Sequence, residues 1–198
     1  MTIREHSIYD CILSNAQNFP KETALVSGDL RLTFAEVPLH VNCLARGLLN
    51  TGFEKGDRIA VLLNNCAEYA LLLAACSRIG LIAVCLNTRT SADEMRMVLE
   101  NTKPKALLFQ TILEEQAEAL RDLLPAQQLY SIDEAAILST SFDQFIDEDY
   151  SLLTEPQPGV DEGWMIIPTA AVDRIPKGAA ESEECNGICC SSSPAFWT

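Results

Sequence analysis

The sequence predicts an α/β fold: a mainly parallel sheet with helices on both faces, opening with a β-hairpin. Three observations predict it. Short, continuous apolar runs recur at Arg58 to Leu63, Ile82 to Leu86 and Ala106 to Phe109, as strands covered on both faces require. Helical periodicity fills the intervals between them, and helix caps and turn residues fall at the junctions. Strict strand–helix alternation of this kind argues for right-handed βαβ units.

The elements follow in order. Ala24-Leu25-Val26 and Leu30 to Phe34 flank Ser27-Gly28-Asp29, a reversal that Gly and Asp tolerate, so the pair reads as a hairpin. Thr33-Phe34-Ala35-Glu36 has capping-box spacing. Val37, Val41, Leu44 and Leu48 then lie on one helical face, with Gly52 as the stop. Pro38, in the first turns, is expected to remove one backbone bond and bend the start.

After the Lys55-Gly56-Asp57 turn and the strand from Arg58, Asn65 with Glu68 is placed to cap a helix that runs to about Ile79. That helix is apolar nearly all round and must be buried. The stretch Tyr69 to Leu86 approaches membrane-spanning length, but Ser77, Arg78 and Gly80 interrupt it. It therefore reads as a buried helix followed by a buried strand.

Ser91-Ala92-Asp93-Glu94 is another capping box; Met95, Val98 and Leu99 point its helix inward, and Lys103-Pro104 ends it. Beyond the strand at Ala106, the stripe Leu113, Ala117, Leu120 and Leu124 predicts a helix over residues 111–124, followed by a strand at Gln128 to Ile132. Glu155 to Gly159 is a Pro/Gly loop, and Gly163-Trp164-Met165-Ile166-Ile167 is a last apolar strand.

The formal charge of −14 and pI near 4.4 argue against nucleic acid or an anionic membrane as partner. The N-terminus mixes Arg4, Glu5, His6 and Asp10 into its apolar residues and lacks the pattern of a signal peptide. A cytoplasmic location is expected, with no transmembrane segment. Of the eight cysteines, Cys11, Cys43, Cys66, Cys76 and Cys85 sit inside apolar patterns as reduced, small hydrophobes. Eleven carboxylates and no Lys or Arg lie between Arg121 and Arg174; this reads as a solvated acidic surface, without metal-ligand spacing.

The last strand leads into Pro168-Thr169-Ala170-Ala171-Val172-Asp173-Arg174-Ile175-Pro176-Lys177-Gly178. A strand, a small-residue loop and a lysine follow the logic of a phosphate cradle, in which amides and an ammonium offset phosphate charge. A strand-to-helix turn that binds nothing is the competing reading.

The Pro-Lys-Gly triplet after an apolar strand resembles the signature loop of the adenylate-forming, AMP-binding synthetases, Thr-Ser-Gly-Thr-Thr-Gly-x-Pro-Lys-Gly. Leu32-Thr33-Phe34 with Glu36, Leu44-Ala45, Leu48, Gly52, Lys55 to Val61, Asn64 with Glu68, Gly80 and Asn87 extend the resemblance over residues 5–180. It implies the N-terminal part of an acyl-CoA synthetase: ATP and Mg2+ activate a small-molecule carboxylate as an acyl-adenylate, and coenzyme A then accepts the acyl group. It also implies that Thr169 and Lys177 contact the ATP phosphates and that Gly178 permits close backbone approach.

Aligned on Pro176-Lys177-Gly178, Ala171 and Arg174 stand where the loop has glycines, and Val172 and Asp173 where it has threonines. Val and Arg reach positive φ only at a cost, and a carboxylate at Asp173 opposes phosphate. Only 21 residues follow Lys177, and none matches the family's adenine, magnesium or lid residues. The expectation is a truncated relative, inactive as an isolated chain, with no catalytic or metal-binding residue of its own. Its alternatives are a non-catalytic interaction module, pairing with a full-length relative, and a stand-alone nucleotide-binding domain. Residues 1–180 form the partial synthetase domain in this reading, and residues 181–198 a disordered Cys/Ser-rich tail. In that tail Cys185, Cys189 and Cys190 lack the paired spacing and fourth ligand of a zinc site.

Overall fold

A computed structural model describes residues 7–125, 128–133, 140–147, 149, 151, 153, 158–159, 163–169 and 177–182. It opens with a helix that the sequence reading did not place, α1 (Ile8–Asn18), started by a Ser7–Asp10 capping box. Charged residues in the first ten positions mask its short inward stripe of Tyr9, Ile12 and Leu13. The hairpin follows as β1 (Thr23–Ser27) and β2 (Leu30–Thr33), antiparallel and separate from the main sheet.

Helix α2 (Val37–Asn50) buries Val41, Leu44 and Leu48 as the stripe requires, but its start differs from the expected box. Glu36 is the N-cap in helical conformation, and its carboxylate turns back to accept the Thr33 amide at 2.8 Å and hydroxyl at 2.7 Å. Thr33 closes a turn instead of capping the helix, because its backbone still belongs to β2. Pro38 lies in the first helical turn, where an amide has no intrahelical acceptor to lose, so the expected missing bond does not arise.

Strand β3 (Arg58–Leu62) leads to α3 (Ala67–Ile79), capped at Cys66 and not at Asn65. Gly80 ends α3 in the left-handed region, φ 76°; its Cα faces Lys55 and Pro158 so closely that a β-carbon would stand 2.8 and 3.0 Å from their side chains. β4 (Ile82–Cys85), α4 (Ala92–Thr102) with its Ser91–Glu94 capping box, and β5 (Ala106–Phe109) follow as predicted.

The helix expected over 111–124 is broken. Only α5 (Glu114–Glu118) is α-helical, between 3-10 turns at residues 111–113 and 121–123. The predicted stripe is nonetheless buried throughout. Arg96 of α4 takes the Ala119 carbonyl at 2.6 Å and grips Asp122 with both terminal nitrogens. That carbonyl would otherwise serve the next helical turn, so a tertiary contact displaces the local ladder.

β6 (Leu129–Ser131), β7 (Thr140–Ser141), β8 (Gly163–Thr169) and β9 (Lys177–Ser182) complete the described strands. The main sheet runs β7-β6-β5-β3-β4-β8-β9, parallel except for the antiparallel β8–β9 pair. Alternate residues of the central strands serve two cores. Ile59, Val61, Ala83 and Leu108 face α1, α2 and α3. Ala60, Leu62, Val84 and Phe109 face α4 and α5. Helices on both faces explain why the strands are continuously apolar.

The acidic stretch is partly structural. Asp149 pairs with Arg46 at 3.5 Å, Asp147 accepts from Asn50 at 2.9 Å and the Ser151 carbonyl accepts from Arg46 at 3.1 Å, holding these three residues against α2. Among the described residues no helix is long and apolar enough to cross a membrane, and no group of His, Cys, Asp or Glu is arranged to hold a metal. The three cysteines of the tail lie outside the described residues.

Candidate phosphate-binding edge

Every parallel strand ends on one edge of the sheet. The chain leaves β3 toward α3 on one face and leaves its neighbour β5 toward α5 on the other, which opens a crevice where ligands of such sheets commonly sit. Gln110, just past β5, accepts the Asn64 amide at 2.8 Å across this crevice. Beside it, Asp133 accepts the Thr111 amide at 3.0 Å, and the Thr111 and Ser131 hydroxyls lie 3.1 Å apart. On the other side, Asn87 accepts the Arg89 amide at 2.9 Å and shapes the turn into α4. Sequence reasoning singled out Asn64 and Asn87 but missed Gln110, Thr111, Ser131 and Asp133. Their only local signal is a polar residue at the end of a buried apolar run.

The candidate loop starts at the same edge. β8 lies parallel to β4 through Ala83–Met165 and Val84–Ile166, so its carboxyl end, Thr169, comes out beside the end of β4. β9 then returns antiparallel, pairing Thr169 with Lys177 and Pro168 with Gly178. All three predicted site residues therefore meet at the mouth of one strand–loop–strand unit. The competing strand-to-helix turn does not occur, since the element beginning at Lys177 is a strand. Ala171, Val172, Asp173 and Arg174 fall in the loop outside the described residues. Thr169 and Lys177 are backbone partners across β8 and β9, and the missing glycines remain a departure in sequence.

The described thiols near this edge are not activated. Burial pushes Cys66 up to about 11, with Glu68 adding to the shift. Burial raises Cys85 as well, only partly offset by the Tyr69 hydroxyl that donates to it. Such groups stay protonated near neutrality and act as packing, not as nucleophiles.

The family described as AMP-binding enzyme matches residues 13–173. The chain is 35% identical over 109 residues to the mitochondrial medium-chain acyl-CoA ligase of Homo sapiens, covering 54% of this chain and 18% of that protein. A crystal structure described as a long-chain-fatty-acid CoA ligase from Rhodopseudomonas palustris superposes with a TM-score of 0.82 at 30% identity, over 92% of this chain and 46% of that one. The N-terminal domain of FACL13 from Mycobacterium tuberculosis shares the fold, with a TM-score of 0.74 at 24% identity over 90% of this chain and 44% of that one. The chain thus spans well under two thirds of the relatives it matches.

Proposed function

Because the chain belongs to the AMP-binding enzyme family, we propose that it supplies the N-terminal part of an ATP-dependent carboxylate–CoA ligase and, as the isolated 198-residue chain, does not complete acyl-CoA formation. Thr169, Lys177 and Gly178 are its contacts to the ATP phosphates in this reading, with Mg2+ bridging the nucleotide and coenzyme A serving as acceptor in the complete ligase. The observation that carries it is the pairing of Thr169 with Lys177 at the carboxyl edge of the parallel sheet. Turnover requires groups on both sides of the reacting carboxylate, because positioning and charge stabilisation supply most of the rate in phosphate chemistry.

Residues 1–180 form the domain fragment, with β9 running on to Ser182, and the rest of 181–198 is its tail. The chain works in the cytoplasm, and it associates with a full-length relative.

The test is a thermal melt of the purified chain with and without millimolar Mg-ATP. Ligand at 100 times its dissociation constant stabilises the native state by about 2.7 kcal/mol. A rise in Tm that Lys177→Ala removes supports the phosphate site, and a cooperative melt without any rise overturns it. Acyl-CoA produced by the isolated chain overturns its inactivity.

A further inference from the structure

Away from the loop, a pocket of about 180 Å³ opens between the hairpin tip, α2, α3 and the 3-10 turn at residues 142–145. Leu44, Leu71 and Phe142 form apolar wall, and Leu30 and Ile146 stand at the mouth, 41% and 49% exposed. Its carboxylate comes from Glu68, in the first turn of α3, and His40 of α2 also lines it. Cys43 also lines the pocket, but burial raises its thiol above the ordinary range, so the chemistry on offer is reversible binding.

Size and charge together select a ligand class. A cavity of about 150 Å³ lined by Leu, Ile and Phe accepts one benzene molecule, so this pocket has room for one ring and a short stem. Aliphatic and aromatic wall favours the ring, and the Glu68 carboxylate in that wall favours a cation beside it. The net charge of −14 over the chain adds a long-range field of the same sign.

We propose that this pocket binds a small hydrophobic amine, its aromatic ring against Leu44, Leu71 and Phe142 and its ammonium at Glu68. The inference goes beyond the phosphate-loop reading and does not depend on it.

The experiment is an NMR titration of the 15N-labelled full chain with 2-phenylethylamine and, separately, with 3-phenylpropionate, which matches it in size and reverses its charge. The expected result is that the amine shifts the amides of Leu71, Phe142 and their neighbours while those of β5 stay fixed. The amine should bind at least about tenfold more tightly than the acid, the ratio that one favourable charge contact of about 1.4 kcal/mol gives. Glu68→Gln should reduce that ratio severalfold without abolishing the ring's binding. Failure of the amine to shift pocket amides at millimolar concentration overturns the proposal. So does equal binding of the acid, or a shift spread over surface carboxylates with none in the pocket. The amine–acid comparison on the unaltered chain decides the matter even where the variant does not fold.

Discussion

A β-carbon placed on Gly47 would stand 1.9 Å from the carbonyl oxygen of Phe145 and 2.3 Å from its carbonyl carbon. Helix α2 and the turn at 142–145 thus meet backbone to backbone. This approach seats Phe145 against Tyr130 at 4.5 Å between ring centroids, with Phe53 and Phe142 edge-on at 6.2 and 6.0 Å. Gly47→Ala must separate the two backbones, and overpacking of this kind costs about 1–3 kcal/mol. Urea unfolding followed by circular dichroism should show a lower midpoint; an unchanged midpoint would mean the two backbones are not in contact.

Arg78 is 4% exposed. It donates to the Leu153 carbonyl at 2.9 Å, and its guanidinium lies 5.3 Å from the centre of the Tyr9 ring; Tyr9 in turn donates to Asn42 at 3.1 Å. One cation therefore ties α1 and the segment before β8 to α3. Arg78→Ala should cost about 2–3 kcal/mol, the range for a hydrogen bond to a charged group together with a desolvated ring contact. Limited proteolysis should cut the variant first near residue 153. Tyr9→Phe keeps the ring contact but strips the buried Asn42 oxygen of its donor and should cost about 1–3 kcal/mol.

Cys66 caps α3 without a side-chain cap hydrogen bond of ordinary strength, its sulfur being only a weak acceptor toward the Tyr69 amide. Cys66→Ser supplies a better acceptor and should stabilise the chain by about 0.5–1 kcal/mol. The same thiol makes stability depend on alkaline pH. Its folded value is raised from 9.0 to about 11, so the unfolded chain loses its proton first. The contribution is complete below the unfolded value and disappears as pH rises through the folded one. Urea midpoints at neutral pH and between about pH 9 and 11 should fall less steeply in Cys66→Ser.

Acid acts through other groups. Arg96 holds Asp122 below its ordinary value, the Ser151 amide does so for Asp149, and the Thr33 amide for Glu36. Depressed folded values place the stability above the unfolded values of 3.8 and 4.5 and remove it as pH falls through the folded ones. All three are exposed, so added salt should flatten the acid dependence of Tm. A Tm that falls equally with and without salt would assign the acid loss elsewhere.

How much of this was legible beforehand depends on how far each feature reaches along the chain. The strands at Ile59, Val84 and Leu107 could be read because burial on both faces demands an unbroken apolar run, and the start of α4 because Ser91 and Glu94 satisfy each other within one turn. The sequence singled out Thr169, Lys177 and Gly178, but not that Lys177 opens a strand paired antiparallel with β8. Nothing local distinguishes a strand from a helix after Lys177. Gln110 and Asp133 went unread because a polar residue after a strand is ordinary in sequence and acquires meaning only from Asn64 and Thr111.

The sequence by itself determined which segments are buried, that α2, α3 and α4 are helices, and the parallel, two-faced character of the sheet, since each follows from periodicity and capping within a few residues. Tertiary structure decided that β3 lies between β4 and β5, that β8 returns to β4, that Arg96 interrupts the helix after Thr111, and that Arg78 is an internal tie. Those outcomes depend on contacts between segments far apart in the chain, such as Arg78 with Leu153 or Gly47 with Phe145. Close packing fixes these contacts only once every layer is in place.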